Sequence, residues 1–315
     1  MISRRLIRIK ALQILYASSR KNDISSTNAE NELFHSIEKY YDLYNLLILL
    51  IIEIVDLEIH NNNFKRNKKQ PTPSDLNPNL GLQDNLFVEK LRSNTELSVK
   101  LEERKLSWKI HKDFIKQLYA DFIKSQTYID FIEQDERLFS SDQELVIRFY
   151  SEFLAENDLF IEFLEEENIY WNDDFNFALV MMIKTIQNFK SSSSENTKLL
   201  PLYKNDDDRE FAKRLIRKTI VNKTDYTKLI EKHTKNWDTE RIAQIDLLIL
   251  QLAIAEILEF ESIPIKVSLN EYIEISKFYS TEKSKTFING LLDKITKSLK
   301  EDKKIQKIGR GLIEK

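Results

Sequence analysis

The residues best suited to chemistry stand at the start of the chain, where bases occur without acids. Residues 1–21 hold six Lys and Arg residues and no Asp or Glu. Arg8 follows Arg4 by four positions and Arg5 by three, so a helix places these three side chains on one flank. A guanidinium group offers a planar fork of N–H donors that matches phosphate oxygens. The spacing therefore favours a phosphate-contacting helix, although a run of bases is also common on a solvated helix face.

Patterns typical of catalysis or metal binding are missing from the sequence. The chain has no Cys, and its four His residues are widely spaced and outside any H-E-x-x-H pattern. Three acids at 206–208 stand where a helix is expected to begin, and the helix dipole favours negative charge there. The four glycines, at 81, 290, 309 and 311, form no phosphate-binding loop. We therefore expect no enzyme, no metal and no cofactor.

Helical periodicity runs through most of the chain and predicts an all-α protein. Ile7, Ala11 and Ile14 form one apolar stripe in the first segment. Four Gly and five Pro in 315 residues are too few for the turns of a β-sandwich or barrel. The pattern Ser268-x-x-Glu271 predicts a capping box at a helix start. Further helices are predicted at about 27–60, 86–134, 142–167, 173–190, 206–222, 238–260, 266–280 and 284–300, with loops at 61–85 and 191–205.

Charge is strongly segregated, although the whole chain carries a net charge of only −3. Residues 130–174 hold fifteen acids and two arginines, whereas residues 297–315 hold seven bases and three acids. The longest apolar run, Leu46 to Ile52, is far shorter than the roughly 18 residues that span a bilayer, and it predicts a helix buried on most sides. The basic N-terminal stretch lacks the apolar core of a signal peptide. We expect a cytoplasmic protein without a membrane partner.

Two motifs stand near the end of the chain. The stretch from Ile263 to Lys277 contains Pro-x-Lys-Val, then Asn270-Glu271 and an amphipathic helical pattern. About ten residues later, positions 287–293 read Phe-Ile-Asn-Gly-Leu-Leu-Asp. Gly290 lies inside a helical pattern, where Gly costs about 1 kcal/mol relative to Ala. This cost predicts that tight packing or close backbone approach requires a glycine there.

Together with the opening Arg4-Arg5-x-x-Arg8-x-x-Ala11-x-Gln13-x-Leu15-Tyr16, these motifs resemble the antitermination factor NusB family. The predicted helix at 238–259 is also similar to the long core helix of that family. The resemblance implies an all-helical protein built from small bundles. It also implies that the protein binds the boxA RNA of ribosomal RNA leaders together with ribosomal protein S10, also called NusE. The complex would help RNA polymerase, as part of its antitermination complex, to read through terminators.

The resemblance also assigns roles to individual residues. The residues implied to contact RNA are Arg4, Arg5, Arg8, Lys10, Lys283, Lys285, Phe287 and Asn289. The residues implied to contact S10 are Tyr16, Glu240 and Asp246, and we expect Asp246 on an exposed flank of its helix. Lys10 departs from the family pattern, and Lys283 and Lys285 make the loop before Phe287 unusually basic. Cations and an aromatic side chain together suit single-stranded RNA, if the fold brings the two ends of the chain together.

The motifs at the two ends predict a NusB-like domain that is split in sequence. Residues 1–22 supply its first helix and 206–300 its core, so we expect the first helix to pack on 206–300. Residues 23–60 form a helical segment that could belong to the same domain. Residues 61–205 are then an inserted helical region, and 301–315 form a basic tail.

Two other classes of protein stay open at this point. One is a helical protein-interaction scaffold that does not bind RNA. The other is a relative of the rRNA cytosine methyltransferases that carry a NusB-like domain at their front, but these need a glycine-rich cofactor domain and a catalytic Cys that this sequence lacks. Salt-dependent binding of a boxA RNA would separate the scaffold from the main interpretation.

Overall fold

The structure is a computed structural model that describes residues 2–19, 25–76, 81–134, 137–234 and 242–312. Over these ranges the secondary structure is helical without a β-strand, so the predicted all-α fold is confirmed. Short 3₁₀ turns occupy Lys109–His111 and Gly309–Leu312, and a π-helical turn occupies Phe149–Leu154. The α-helices are α1 (Arg4–Ser19), α2 (Ser26–Arg66), α3 (Pro73–Leu76), α4 (Leu86–Arg92), α5 (Thr95–Glu103), α6 (Lys112–Phe122), α7 (Gln126–Ile132), α8 (Phe139–Arg148), α9 (Asp158–Glu167), α10 (Phe175–Asn188), α11 (Asp206–Val221), α12 (Lys223–His233), α13 (Gln244–Glu259), α14 (Ile265–Tyr279) and α15 (Glu282–Glu301).

The chain divides into two compact units. Unit 1 is formed by Glu38–Leu202, and unit 2 by Ile2–Ile37 and Tyr203–Lys315. The division falls inside α2, whose first part belongs to unit 2 and whose remainder belongs to unit 1. The boundaries predicted from the sequence, at 60 and 205, lie at predicted loops, whereas the first division in the structure lies within a helix.

Unit 2 is organised around α13, which packs against α1, α11, α12, α14 and α15. Every residue from Leu248 to Ile257 is buried, as expected of a helix that is apolar on nearly all sides. α1 packs on α11 and α13, and its apolar stripe of Ile7, Ala11 and Ile14 is buried. The predicted packing of the first helix on the 206–300 region is therefore confirmed.

Unit 1 has a core of its own around the later part of α2. The run from Leu46 to Ile52 is largely buried, which confirms the helix predicted there. Aromatic side chains reach the α2 backbone: Trp108 Nε1 donates to the Leu46 carbonyl at 3.0 Å, and the Tyr150 hydroxyl donates to the Leu47 carbonyl. These bonds satisfy the polar ends of buried aromatic residues.

Several helices predicted as long are broken, and one is longer than predicted. The segment 86–134 forms α4 to α7, because Asn94 and Ser125 accept bonds from Leu97 N and Tyr128 N and so start new helices. The segment 142–167 is divided between α8, the π-helical turn and α9. The predicted loop at 61–85 begins late, because α2 continues to Arg66.

Gly81 and Gly290 lie in opposite surroundings. A Cβ added at Gly81 would lie 2.1 Å from the Tyr128 hydroxyl oxygen. That hydroxyl donates to the buried carboxylate of Glu58, which also accepts a bond from Leu82 N at 2.7 Å. Burial raises the pKa of Glu58 in spite of these bonds. A Cβ at the exposed Gly290 meets nothing within 4 Å, so the packing reason predicted for Gly290 is wrong.

We predict opposite effects of Gly-to-Ala substitutions at these two sites. Gly81→Ala should lower the free energy of unfolding by about 1–3 kcal/mol, because Tyr128 must move within a packed site. Gly290→Ala should raise it by about 0.5–1 kcal/mol, because Ala restricts the unfolded chain and favours the helix. Urea denaturation of both variants measures the effects, and a destabilised Gly290→Ala would contradict the open surroundings of Gly290.

Candidate nucleic-acid interface

A buried ion pair fixes α1 against α13. Arg8 donates from Nε and Nη2 to the two carboxylate oxygens of Glu256, both at 2.7 Å. The Ser268 hydroxyl donates to the same carboxylate at 2.7 Å, and the Tyr272 hydroxyl at 3.1 Å. Arg8 is only 3% exposed and Glu256 is fully buried. Four side chains from α1, α13 and α14 therefore form one hydrogen-bonded cluster inside unit 2.

The electrostatics of this cluster follow from its burial. Burial by itself would lower the pKa of Arg8, but the hydrogen bonds and charge of Glu256 outweigh it, so the pKa of Arg8 is raised. The pKa of Tyr272 is raised, first by burial and then by the charge of Glu256. Arg8 thus stays charged, and its charge is matched inside the protein.

Two of the residues implied to contact RNA are therefore placed differently from the prediction. The guanidinium of Arg8 is committed to Glu256 and could reach a phosphate only by breaking a buried pair. Lys10 is fully buried. The helical spacing correctly put Arg8 on one flank with Arg4 and Arg5. Arg8 is buried in unit 2, however, whereas the side chains of Arg4 and Arg5 are partly exposed. The predicted capping box is also wrong, since α14 begins at Ile265 and Ser268 serves Glu256 from within the helix.

Arg4 and Arg5 lie at the surface end of the same flank. Arg4 Nε lies 2.8 Å from the Asp208 carboxylate, and Arg5 donates to both oxygens of Glu271 at 2.9 Å. Their side chains keep 37% and 44% of their surface exposed. Burial favours a raised pKa for Glu271, but the Arg5 hydrogen bond and the Arg8 charge lower it. Because ion pairs at the surface contribute only about 0–1 kcal/mol, another anion can compete for these two arginines.

An open depression of about 690 Å³ lies beside these arginines. It is formed by the start of α1, the turn before α14 and the first turns of α14, together with one residue near the chain end. Its lining consists of Ser3, Arg4, Arg5, Arg8, Ser262, Ile263, Pro264, Lys266, Val267, Asn270, Glu271 and Arg310. Sequence reasoning did not assign Lys266, Asn270 or Arg310 to the site. Lys266 and Asn270 stand inside the quoted motif, whereas Arg310 had no signal beyond the basic tail.

The residues of α15 that are implied to contact RNA also belong to unit 2. Lys283 and Asn289 are exposed, Phe287 is half-buried, and Lys285 Nζ lies 3.6 Å from Glu282. The pKa of Glu274 is lowered first by its hydrogen bond from Lys277 and also by the charges of Arg5 and Lys285. Arg5 of α1 is bonded to Glu271 of α14, and α14 packs on α15, which carries Lys283 and Lys285. Cations that are far apart in sequence therefore belong to neighbouring helices of unit 2.

The residues implied to contact S10 fall into three different situations. Tyr16 is exposed near the end of α1, at 37%. Asp246 is only 4% exposed and accepts a hydrogen bond from the Ser280 hydroxyl, so its predicted exposed position is wrong. The apolar pattern of α13 does not reveal that Ser280, directly after α14, reaches Asp246. Glu240 lies outside the described residues.

Among the described residues no group of three or more His, Cys, Asp and Glu could hold a metal ion. Asp208, one of the three acids considered at 206–208, is instead the partner of Arg4. No helix in the described part of the chain is long and apolar enough to cross a bilayer.

Over its described residues, unit 2 is an all-helical module. Its basic face consists of Arg4, Arg5 and Lys266 at the open depression and of Lys283 and Lys285 on α15, side chains of a kind that can bind phosphate groups. A family model described as the NusB family matches residues 177–297. The chain is 45% identical to the transcription antitermination protein NusB of Salinibacter ruber over 114 residues, which is 36% of this chain and 71% of that protein. The chain belongs to the NusB family.

Other relatives carry the same name. The NusB of Finegoldia magna is 45% identical over 93 residues, or 30% of this chain and 68% of that protein. The NusB of Chloroherpeton thalassium is 42% identical over 106 residues, or 34% of this chain and 50% of that protein. No solved structure matches the chain. Although α1 lies outside the range matched by the family model, it packs on α11 and α13, which lie inside it.

We predict that Arg8 serves stability. Arg8→Ala should lower the free energy of unfolding by about 3–5 kcal/mol, because it leaves the buried Glu256 without its counter-charge. Arg5→Ala is the matched control and should cost less than about 1 kcal/mol, because its pair with Glu271 is exposed. Chemical denaturation of the two variants provides the comparison. Equal losses would show that the buried cluster does not fix α1.

Proposed function

We propose that this chain is a transcription antitermination factor that binds boxA-type RNA of ribosomal RNA leaders through the basic face of unit 2. In this proposal it acts with ribosomal protein S10 in the antitermination complex of RNA polymerase. Membership of the NusB family supports the general role. The observation that carries the RNA assignment is the open depression lined by Arg4, Arg5 and Lys266.

The chemistry of this face suits single-stranded RNA. Single strands are held by cations along the phosphate backbone and by aromatic groups that stack on bases. Arg4, Arg5 and Lys266 supply cations on one side of α14, while Lys283 and Lys285 supply them on α15. Phe287 and Asn289 on α15 offer a partly exposed ring and an exposed amide that can read a base. Arg8 acts in this proposal from inside, because its pair with Glu256 holds α1 in place, and the buried Lys10 is not proposed to contact phosphate.

For S10 we propose a surface that includes Tyr16. A tyrosine exposed on a helix offers a large contact area with little loss of side-chain entropy. The buried Asp246 would contribute indirectly, by holding Ser280 between α14 and α15. The implied contact of Glu240 with S10 stays a prediction.

We predict that Arg4→Ala/Arg5→Ala weakens binding of a boxA RNA and of a scrambled RNA alike. Each phosphate contact on a single strand contributes about 0.7 to the magnitude of the slope of log affinity against log salt concentration. Because the double variant lacks two contacts, its slope should be smaller by about 1.4. Fluorescence anisotropy titrations across a salt series measure this slope.

The matched control is Arg214→Ala/Arg217→Ala, which removes two exposed, ion-paired arginines of α11 that do not line the depression. It should leave the slope close to that of the wild type. Equal loss in both double variants would mean that RNA senses only the net charge. A wild-type chain that binds S10 but no RNA would instead support the interaction scaffold.

We predict that Tyr16→Ala weakens binding of S10 at least about fivefold, because truncating an aromatic side chain central to an interface costs more than 1 kcal/mol. Its binding of RNA alone should be unchanged. Phe278→Ala on α14 is the control, since Phe278 is also an exposed aromatic, at 81%. Isothermal titration with S10 makes the comparison, and an unchanged affinity of Tyr16→Ala would remove Tyr16 from the interface.

A further inference from the structure

The end of the chain turns back after α15 toward the start of α14. Lys303 has a φ of 55°, in the left-handed region that disfavours residues with a side chain. Lys303 N donates to the Lys300 carbonyl at 3.0 Å and Lys304 N to the Leu299 carbonyl at 2.9 Å, which is the pattern of a Schellman motif. These two bonds end α15 and set the direction of the residues that follow.

Residues 304–312, here called the C-terminal strap, dock on the turn that precedes α14. Lys307 Nζ donates to the Phe260 carbonyl at 2.8 Å, and Ile308 N donates to the Glu261 carbonyl at 3.1 Å. Burial lowers the pKa of Lys307 to about 8, consistent with an ammonium group drawn partly out of water. Gly311 is buried so tightly that an added Cβ would lie 1.9 Å from the Glu261 carbonyl oxygen. The strap is therefore held by specific backbone contacts.

This docking places Arg310 in the lining of the depression. Gly309, with a φ of 51°, and the buried Gly311 flank it, so the chain is bent and anchored on both sides of Arg310 while its own side chain stays exposed. Among the residues that the structure describes, Arg310 and Lys266 line the depression without forming an ion pair, whereas Arg4 and Arg5 are each paired with an acid. An arriving phosphate would displace no carboxylate from Arg310 or Lys266.

We infer that the C-terminal strap is part of the RNA-binding face, and that it positions Arg310 to bind a backbone phosphate of single-stranded RNA. This inference rests on the proposed function and adds a segment that lies beyond the range matched by the family model, which ends at 297. In this arrangement Lys307 and Gly311 are positioning residues and Arg310 is the contact.

The test compares three single variants and one double variant of the full chain in RNA titrations across a salt series. Arg310→Ala removes the contact. Gly311→Ala keeps the arginine but prevents the strap from docking, because its Cβ meets backbone. Lys304→Ala removes a cation of the same strap that does not line the depression. Each variant is titrated with a boxA RNA and with a scrambled single strand of equal length, and circular dichroism during heating checks its fold.

Arg310→Ala should reduce the salt slope by about 0.7, which corresponds to a loss of affinity of about eightfold at 50 mM salt and about threefold at 200 mM. Gly311→Ala should produce a similar loss with an unchanged melting profile of the helices. The double variant Arg310→Ala/Gly311→Ala should lose no more than Arg310→Ala alone, since the two changes remove one contact. Lys304→Ala should stay close to the wild type.

Three results would overturn the inference in distinguishable ways. If Arg310→Ala keeps the wild-type salt slope while Arg4→Ala/Arg5→Ala reduces that slope by about 1.4, RNA binds beside Arg4 and Arg5 and the strap is not part of the RNA-binding face. If Lys304→Ala loses as much as Arg310→Ala, the strap acts only through its net charge. Failure of the wild-type chain to bind either RNA would overturn the proposed function as well.

Discussion

The arrangement of unit 2 depends on one buried charge. Glu256 lies within the most apolar helix of the unit, and a carboxylate there is tolerable only if it is paired and hydrogen-bonded. Arg8 supplies the pair, and Ser268 and Tyr272 supply the remaining bonds. Because these partners come from α1 and α14, satisfying one carboxylate fixes both helices on α13. Arg4 and Arg5 are thereby directed to the surface beside the first turns of α14.

Much of this unit could be predicted from the sequence, since helical periodicity is a local signal. The motifs at the two ends of the chain also indicated correctly that α1 packs with the later helices. The partner of Arg8 could not be predicted, because Glu256 is 248 positions away and nothing in the spacing of either residue reveals the other. Asp246 looked exposed for the same reason, because Ser280 reaches it from a distant segment. At Gly290 the propensity cost of glycine was real, but it did not reflect local crowding.

The docking of the C-terminal strap could not be predicted from the sequence. Its charge predicts only a basic tail, because nothing in the sequence reveals that the Glu261 carbonyl lies against Gly311. Unit 1, in contrast, has a core of its own, in which the side chains of Trp108 and Tyr150 donate hydrogen bonds to the α2 backbone. The acidic stretch at 130–174 belongs to that unit. Every residue proposed here to contact RNA belongs to unit 2.

In the proposed function, RNA binds the face of unit 2 formed by α1, α14, α15 and the C-terminal strap. Hydrogen–deuterium exchange of the full chain, with and without a boxA RNA, locates the RNA on the protein. We expect RNA to slow exchange in peptides covering residues 2–8, 264–274, 282–290 and 304–312, and to leave residues 38–202 unchanged. Slowed exchange confined to 38–202, with no change at those four segments, would contradict this proposal.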